Sequence, residues 1–197
     1  IPFFQAAPGV LASAGGVSKV NAAMTAQILC LHFGVDLILN AGVAGCLTDL
    51  PTGSLVVASE FVQHDVDTTA VGDPIGLVST VNRVDFPTWQ PEHCAALLAE
   101  LGYPASIGRV ATGDWFAVRG ERAAWLRDTF SPLLVEMEGG AIAQVCLRNG
   151  VRFAAVKSVS DHLFSDNQAQ EYFDFGEALE RLGKIVLPLA LKLKEEA

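Results

Sequence analysis

Leu37-Ile38-Leu39-Asn40-Ala41-Gly42-Val43-Ala44-Gly45 is a short apolar run that passes directly into small residues. Residues 37–40 read as a strand buried on both faces. The small residues that follow read as a turn whose bare backbone lets a ligand approach its N–H groups, although glycines after strands are also ordinary turn residues. Upstream, residues 20–33 are rich in Ala, with apolar residues at helical spacing. Downstream, strand patterns at 55–61, 106–111, 133–136 and 153–159 are interleaved with helical patterns at 92–101, 119–129 and 138–148. A last helical stretch runs from about Phe173 to the C-terminus, with Pro188 expected to kink or break it. This alternation predicts an α/β fold of three layers, a mostly parallel central sheet with helices on both faces, in one domain over 1–197. Residues 72–90 are expected to form a long loop.

Composition narrows the function. Of the 197 residues 51% are hydrophobic and 18% charged, which supports a packed core rather than disorder. The formal net charge of −9 argues against a nucleic-acid partner, because phosphate binding needs a basic surface. No apolar run approaches the roughly 18–20 residues that span a bilayer, so no membrane partner is expected. The four cysteines (Cys30, Cys46, Cys94 and Cys146) are widely spaced, as befits buried thiols in a reducing compartment, and a cytoplasmic location is expected. No cofactor is expected either, since the sequence holds no P-loop, G-x-G-x-x-G or nucleophile elbow.

In open α/β sheets ligands collect at the carboxyl ends of strands, and four such places stand out. Besides the 40–45 turn, Gly113-Asp114-Trp115-Phe116 could stack aromatics on a planar base or pack them in the core. Val135-Glu136-Met137-Glu138-Gly139-Gly140 sets two carboxylates where a strand meets a helix, to hold a ribose diol or to complement the helix dipole. Ser158-Val159-Ser160-Asp161 delivers an acid from an apolar strand, as a catalytic group or as a helix cap. His64-Asp65-Val66-Asp67 suggests a metal, but neighbouring residues of an extended chain face opposite ways and no second cluster completes a ligand set, so no metal site is expected.

In this order, with Gly16-Val17-Ser18-Lys19-Val20 ahead of them and Phe173-Asp174-Phe175 behind, these segments resemble the methylthioadenosine/S-adenosylhomocysteine nucleosidases of the nucleoside phosphorylase superfamily. The resemblance implies hydrolysis of a purine nucleoside at its N-glycosidic bond by a homodimer. It casts Asp161 as the general acid toward purine N7, with Ser160 beside it, Phe116 stacked on the base and the Ala117 backbone on its polar edge. Glu136, Met137 and Glu138 would hold the sugar, Glu138 through both hydroxyls. Val43 and Ala44 would floor the site and Phe173 would close over it, while the segment around Val71 would reach toward the neighbour's pocket. Such chemistry builds positive charge on the ribose, which a carboxylate stabilises, and protonation of the base helps it depart.

A phosphorylase of this superfamily carries an Arg where this chain has Asn40, which favours water as the nucleophile. Lys157 stands where the family more often has Arg. The family's water-activating Glu follows a first strand, and no residue in 1–16 is acidic. The expectation is therefore a chain truncated at its N-terminus. Two other readings stay open: a nucleoside-binding homologue without turnover, and a related purine nucleoside hydrolase or phosphorylase.

Overall fold

The computed structural model describes residues 1–164 and 175–195. The chain opens with an antiparallel hairpin, β1 (Phe3–Ala7) and β2 (Val10–Ser13), which forms a sheet of its own. Helix α1 (Lys19–His32) leads to β3 (Leu37–Cys46), and β4 (Leu55–Gln63) follows after a short turn. Then come β5 (Asp85–Pro87), α2 (Pro91–Glu100), β6 (Ala105–Thr112), α3 (Glu121–Phe130) and β7 (Leu134–Glu136). Helix α4 (Gly139–Asn149), β8 (Arg152–His162) and α5 (Phe175–Glu195) complete the order. The predicted α/β layering is present, and α5 continues through Pro188 as one helix.

The mostly parallel sheet is not what forms. The main sheet runs β5-β4-β6-β7-β3-β8, and a further β4–β8 pairing partly closes it. The pairs β3–β8, β4–β6 and β6–β7 are parallel, whereas β3–β7, β4–β5 and β4–β8 are antiparallel. The cause is the link between β3 and β4, which carries no helix, so β4 runs back against β3. Strands β6 and β7 take their direction from β4, and β8 takes its from β3.

Two further expectations change in detail. The 41–45 segment is not a turn but the second half of β3, paired with β8 from Leu37–Arg152 to Cys46–His162 with a shift of register between Ala44 and Gly45. Gly45 is required there by close packing, since a Cβ would stand 2.8 Å from Leu163 Cδ1. The 72–90 loop contains edge strand β5, whose Phe86 is buried.

Helices cover both faces. Ala22 and Ala26 of α1 and Ile142, Ala143 and Cys146 of α4 pack with Phe61 and Phe153. On the other face Leu182, Ile185, Leu189 and Leu193 make a buried stripe along α5 against Leu55, Val57, Ala154 and Val156. Burying each Leu or Ile side chain is worth about 1.5–3 kcal/mol, which is why the stripe holds α5 in place. A third cluster puts Leu126 and Phe130 of α3 against Val62, Ala111 and Val135.

Candidate active site

Strand β7 ends on Glu136, and Glu138 stands at the N-cap position of α4, its side chain making no capping bond. Their surroundings are opposite. Glu136 is 6% exposed and its carboxylate is fully engaged. Lys157 Nζ, 1% exposed, lies 2.7 Å from Oε2. The backbone N–H of Gly139 donates to Oε1 and Oε2 at 3.0 and 2.9 Å, and that of Glu138 to Oε2 at 3.2 Å. The Thr112 hydroxyl donates to Oε1 and accepts from the Gly140 N–H at 2.8 Å. Three N–H groups that the helix start leaves without partners are thereby satisfied. This approach requires Gly139, because a Cβ there would lie 2.2 Å from Phe61 Cε1.

Glu138 is half-buried, and its Oε1 accepts the Ser18 N–H at 2.9 Å. Burial, and then the negative charge of Glu136, push its carboxyl above the usual range. Ser18 presents that N–H from an extended conformation with φ 83° and ψ 155°, a region otherwise used by glycine. The neighbouring anchors explain why it persists. The Lys19 N–H donates to Asp114 Oδ1 at 2.8 Å, Lys19 Nζ pairs with Asp65 Oδ1 at 2.7 Å, and the Asp114 N–H donates to Asp65 Oδ2 at 2.9 Å. Burial raises the Asp65 carboxyl, but the Lys19 and Asp114 contacts outweigh it and hold the group below its ordinary value.

Asp161 emerges near the end of β8, and the Ser160 hydroxyl donates to its Oδ1 at 2.5 Å. A Cβ at Gly45 would lie 3.5 Å from Asp161 Oδ2 and 3.6 Å from Val135 Cγ1, so Gly45 separates Asp161 from the residue before Glu136. Phe116 is 68% exposed in the loop after β6, beside the half-buried Ala117, while Trp115 packs edge-on to His64 with the Arg122 guanidinium over its ring. His64 is buried, and desolvation above all holds its imidazole below the ordinary value. Val43 packs toward α2 and α5, whereas Ala44 is buried in the cluster beneath α1 and α4. Met137 is half-buried between the two glutamates. Phe173 lies outside the described residues.

Ser18, Lys19, Asp65 and Asp114 stand in the motifs quoted from the sequence but were given no role in substrate binding, and Thr112 stood in none of them. A signal for Lys157 was present: a lysine inside the apolar strand Ala154-Ala155-Val156-Lys157-Ser158-Val159 demands a buried anion. Among the described residues no group of three or more His, Cys, Asp or Glu could hold a metal ion, and no helix is long and apolar enough to cross a membrane.

The chain, whose partly closed α/β sheet carries carboxylates at its strand ends, matches the model of the phosphorylase superfamily over residues 5–191. A 5′-methylthioadenosine/S-adenosylhomocysteine nucleosidase of Geobacillus kaustophilus is 36% identical over 187 residues, covering 92% of this chain and 79% of the relative. An aminodeoxyfutalosine nucleosidase of Helicobacter pylori is also 36% identical, over 80% of this chain and 68% of the relative. The crystal structure of the Campylobacter jejuni 5′-methylthioadenosine/S-adenosylhomocysteine nucleosidase superposes with a TM-score of 0.85 at 30% identity, over 95% of this chain and 81% of that one. The chain belongs to the phosphorylase superfamily, and within it to the 5′-methylthioadenosine/S-adenosylhomocysteine nucleosidases.

Proposed function

We propose that the chain uses water to cleave the N-glycosidic bond of 5′-methylthioadenosine and S-adenosylhomocysteine, releasing adenine and the 5-thioribosyl product. The observation that carries the reading is the half-buried Glu138, which backbone N–H groups steady while the remaining lone pairs are left for a diol. Its negative charge stabilises the positive charge that develops on the ribose. The C1′–N9 bond breaks with its electrons leaving on the base, whose N7 takes the proton of Asp161. Water gives its hydroxyl to C1′, and its second proton returns to Asp161 through solvent. Ser160 steadies Asp161 at 2.5 Å, and the exposed Phe116 ring is available to stack on the purine. Met137 and the Ala117 backbone complete the contacts, whereas Val43 and Ala44 belong to the packed core.

The 36% identity to an aminodeoxyfutalosine nucleosidase supports a second substrate with the same adenine and ribose but a different 5′ group. A homodimer suits α1, where Val20, Met24 and Leu31 share one face and are 74%, 49% and 75% exposed. The widely spaced, mostly buried cysteines suit the cytoplasm.

The test is adenine release from methylthioadenosine in phosphate-free buffer. The parent chain should release adenine, and Asp161→Asn should slow release by about 100-fold or more. Release that depends on added phosphate would assign a phosphorylase. Tight binding without release would assign a nucleoside-binding protein.

A further inference from the structure

Glu136 was expected among the residues that touch substrate, yet its carboxylate has no face left for one. We propose that Glu136 is a positioning residue: held by Lys157 and Thr112, it fixes the first turn of α4 and thereby the direction in which Glu138 offers its carboxylate to the sugar. The inference rests on the reading of Glu138 as the diol-binding group.

Four observations carry it. The Glu136 carboxylate receives the backbone N–H groups of Glu138 and Gly139, the two residues that set where the Glu138 side chain begins. Thr112 binds Glu136 with its hydrogen and the Gly140 N–H with its oxygen, so the third N–H belongs to the same unit. Lys157 lies opposite Gly42 in the β3–β8 register and spends its charge on Glu136 from below. Glu136, Thr112, Lys157, Gly139 and Gly140 are buried, so water hardly competes for their contacts and the geometry is stiff. The Glu138 carboxylate is held by backbone N–H groups, that of Ser18 at 2.9 Å and that of Met137, so its direction comes from the backbone on both sides. A side chain with few contacts of its own depends on such support to hold a productive geometry.

A role exerted through Glu138 is separable from general support of the fold, because it concerns only the sugar hydroxyls. The experiment measures dissociation constants by calorimetry, with Asp161→Asn in every chain so that the nucleosides are not consumed, for three probes: methylthioadenosine, its 2′,3′-dideoxy counterpart and adenine. Binding is sufficient, and turnover is not needed. The parent chain should prefer methylthioadenosine to the dideoxy probe at least tenfold, and Glu138→Gln should abolish that preference. Glu136→Gln should cut the preference at least fivefold while adenine binds within twofold of the parent. Thr112→Val should show the same pattern at smaller size, with Thr112→Ser restoring it. If Glu136→Gln does not fold, Glu136→Gln with Lys157→Met removes both charges and is held to the same criterion. Equal losses on all three probes, or an unchanged preference, would overturn the positioning role. A parent chain indifferent to the hydroxyls, or a Glu138→Gln variant that keeps the preference, would instead refute the reading of Glu138, whatever Glu136 does.

Discussion

Glu136 and Glu138 stand two residues apart with the same side chain, and their surroundings divide them. Glu136 meets a lysine ammonium, a hydroxyl and the N–H groups of a helix start, all out of water. Glu138 meets only backbone N–H groups and is half-buried. A carboxylate whose lone pairs are filled from within holds structure in place, whereas one left partly unfilled can accept a ligand. Count of partners, rather than residue type or position at a strand end, separates the two roles.

The largest effect should come from breaking the filled site. Lys157→Met leaves the Glu136 carboxylate buried without its cation, and removing one partner of such a pair costs about 3–5 kcal/mol. Thermal unfolding should show the loss, and Glu136→Gln added to Lys157→Met should recover part of it. Full additivity of the two changes would mean that the ion pair is not the coupled unit described.

Glu138→Gln should act in the other direction on stability and strongly on binding. Burial raises the Glu138 carboxyl in the folded chain above its ordinary value of 4.5. Between the unfolded and folded values the native state therefore holds more proton than the unfolded one. The stability this contributes is full below about pH 4.5 and is lost as pH rises through the folded value. Glu138→Gln removes that loss, so the variant should gain on the parent from acid to neutral pH and match it below pH 4.5. A stability difference that shrinks with rising pH would contradict the assignment. Over the same range the parent should bind methylthioadenosine more weakly as pH falls and Glu138 takes up its proton. At neutral pH the variant should lose about tenfold in affinity, the scale of one charged hydrogen bond.

Ser18→Gly is the smallest change. It relieves a backbone conformation that costs a non-glycine residue roughly 1–3 kcal/mol, offset by the greater freedom of glycine in the unfolded chain. A net gain of about 1 kcal/mol in denaturant unfolding is expected, with nucleoside affinity unchanged because the N–H remains. A lost affinity would show that the serine hydroxyl, and not only the backbone, serves the site.

Much of this was legible in the chain, for reasons that individual residues make plain. Periodicity located the helices around Ala26, Leu97, Leu126 and Ala143, because each buries one face. Strand direction was hidden, since it follows from the helix-free link between β3 and β4, and a three-residue strand such as β7 has no period to read. Motif order brought out Glu138 and Asp161 but could not distinguish Glu136 from Glu138, because that difference is made by Thr112 and Lys157 from other strands. The Ser18–Glu138 contact was equally unreadable, as it joins segments far apart in the chain.

The extra β4–β8 pairing has a consequence for how the molecule is made. Strand β8 lies late in the chain and pairs with β3 and β4 from its first third, so the ring cannot close until most of the chain has left the ribosome. Contacts of such long range slow folding and leave strand edges open meanwhile. Lys157 arrives on that last strand. Until it does, Glu136 is an anion awaiting its cation, and the pocket takes shape in the same event that seals the sheet.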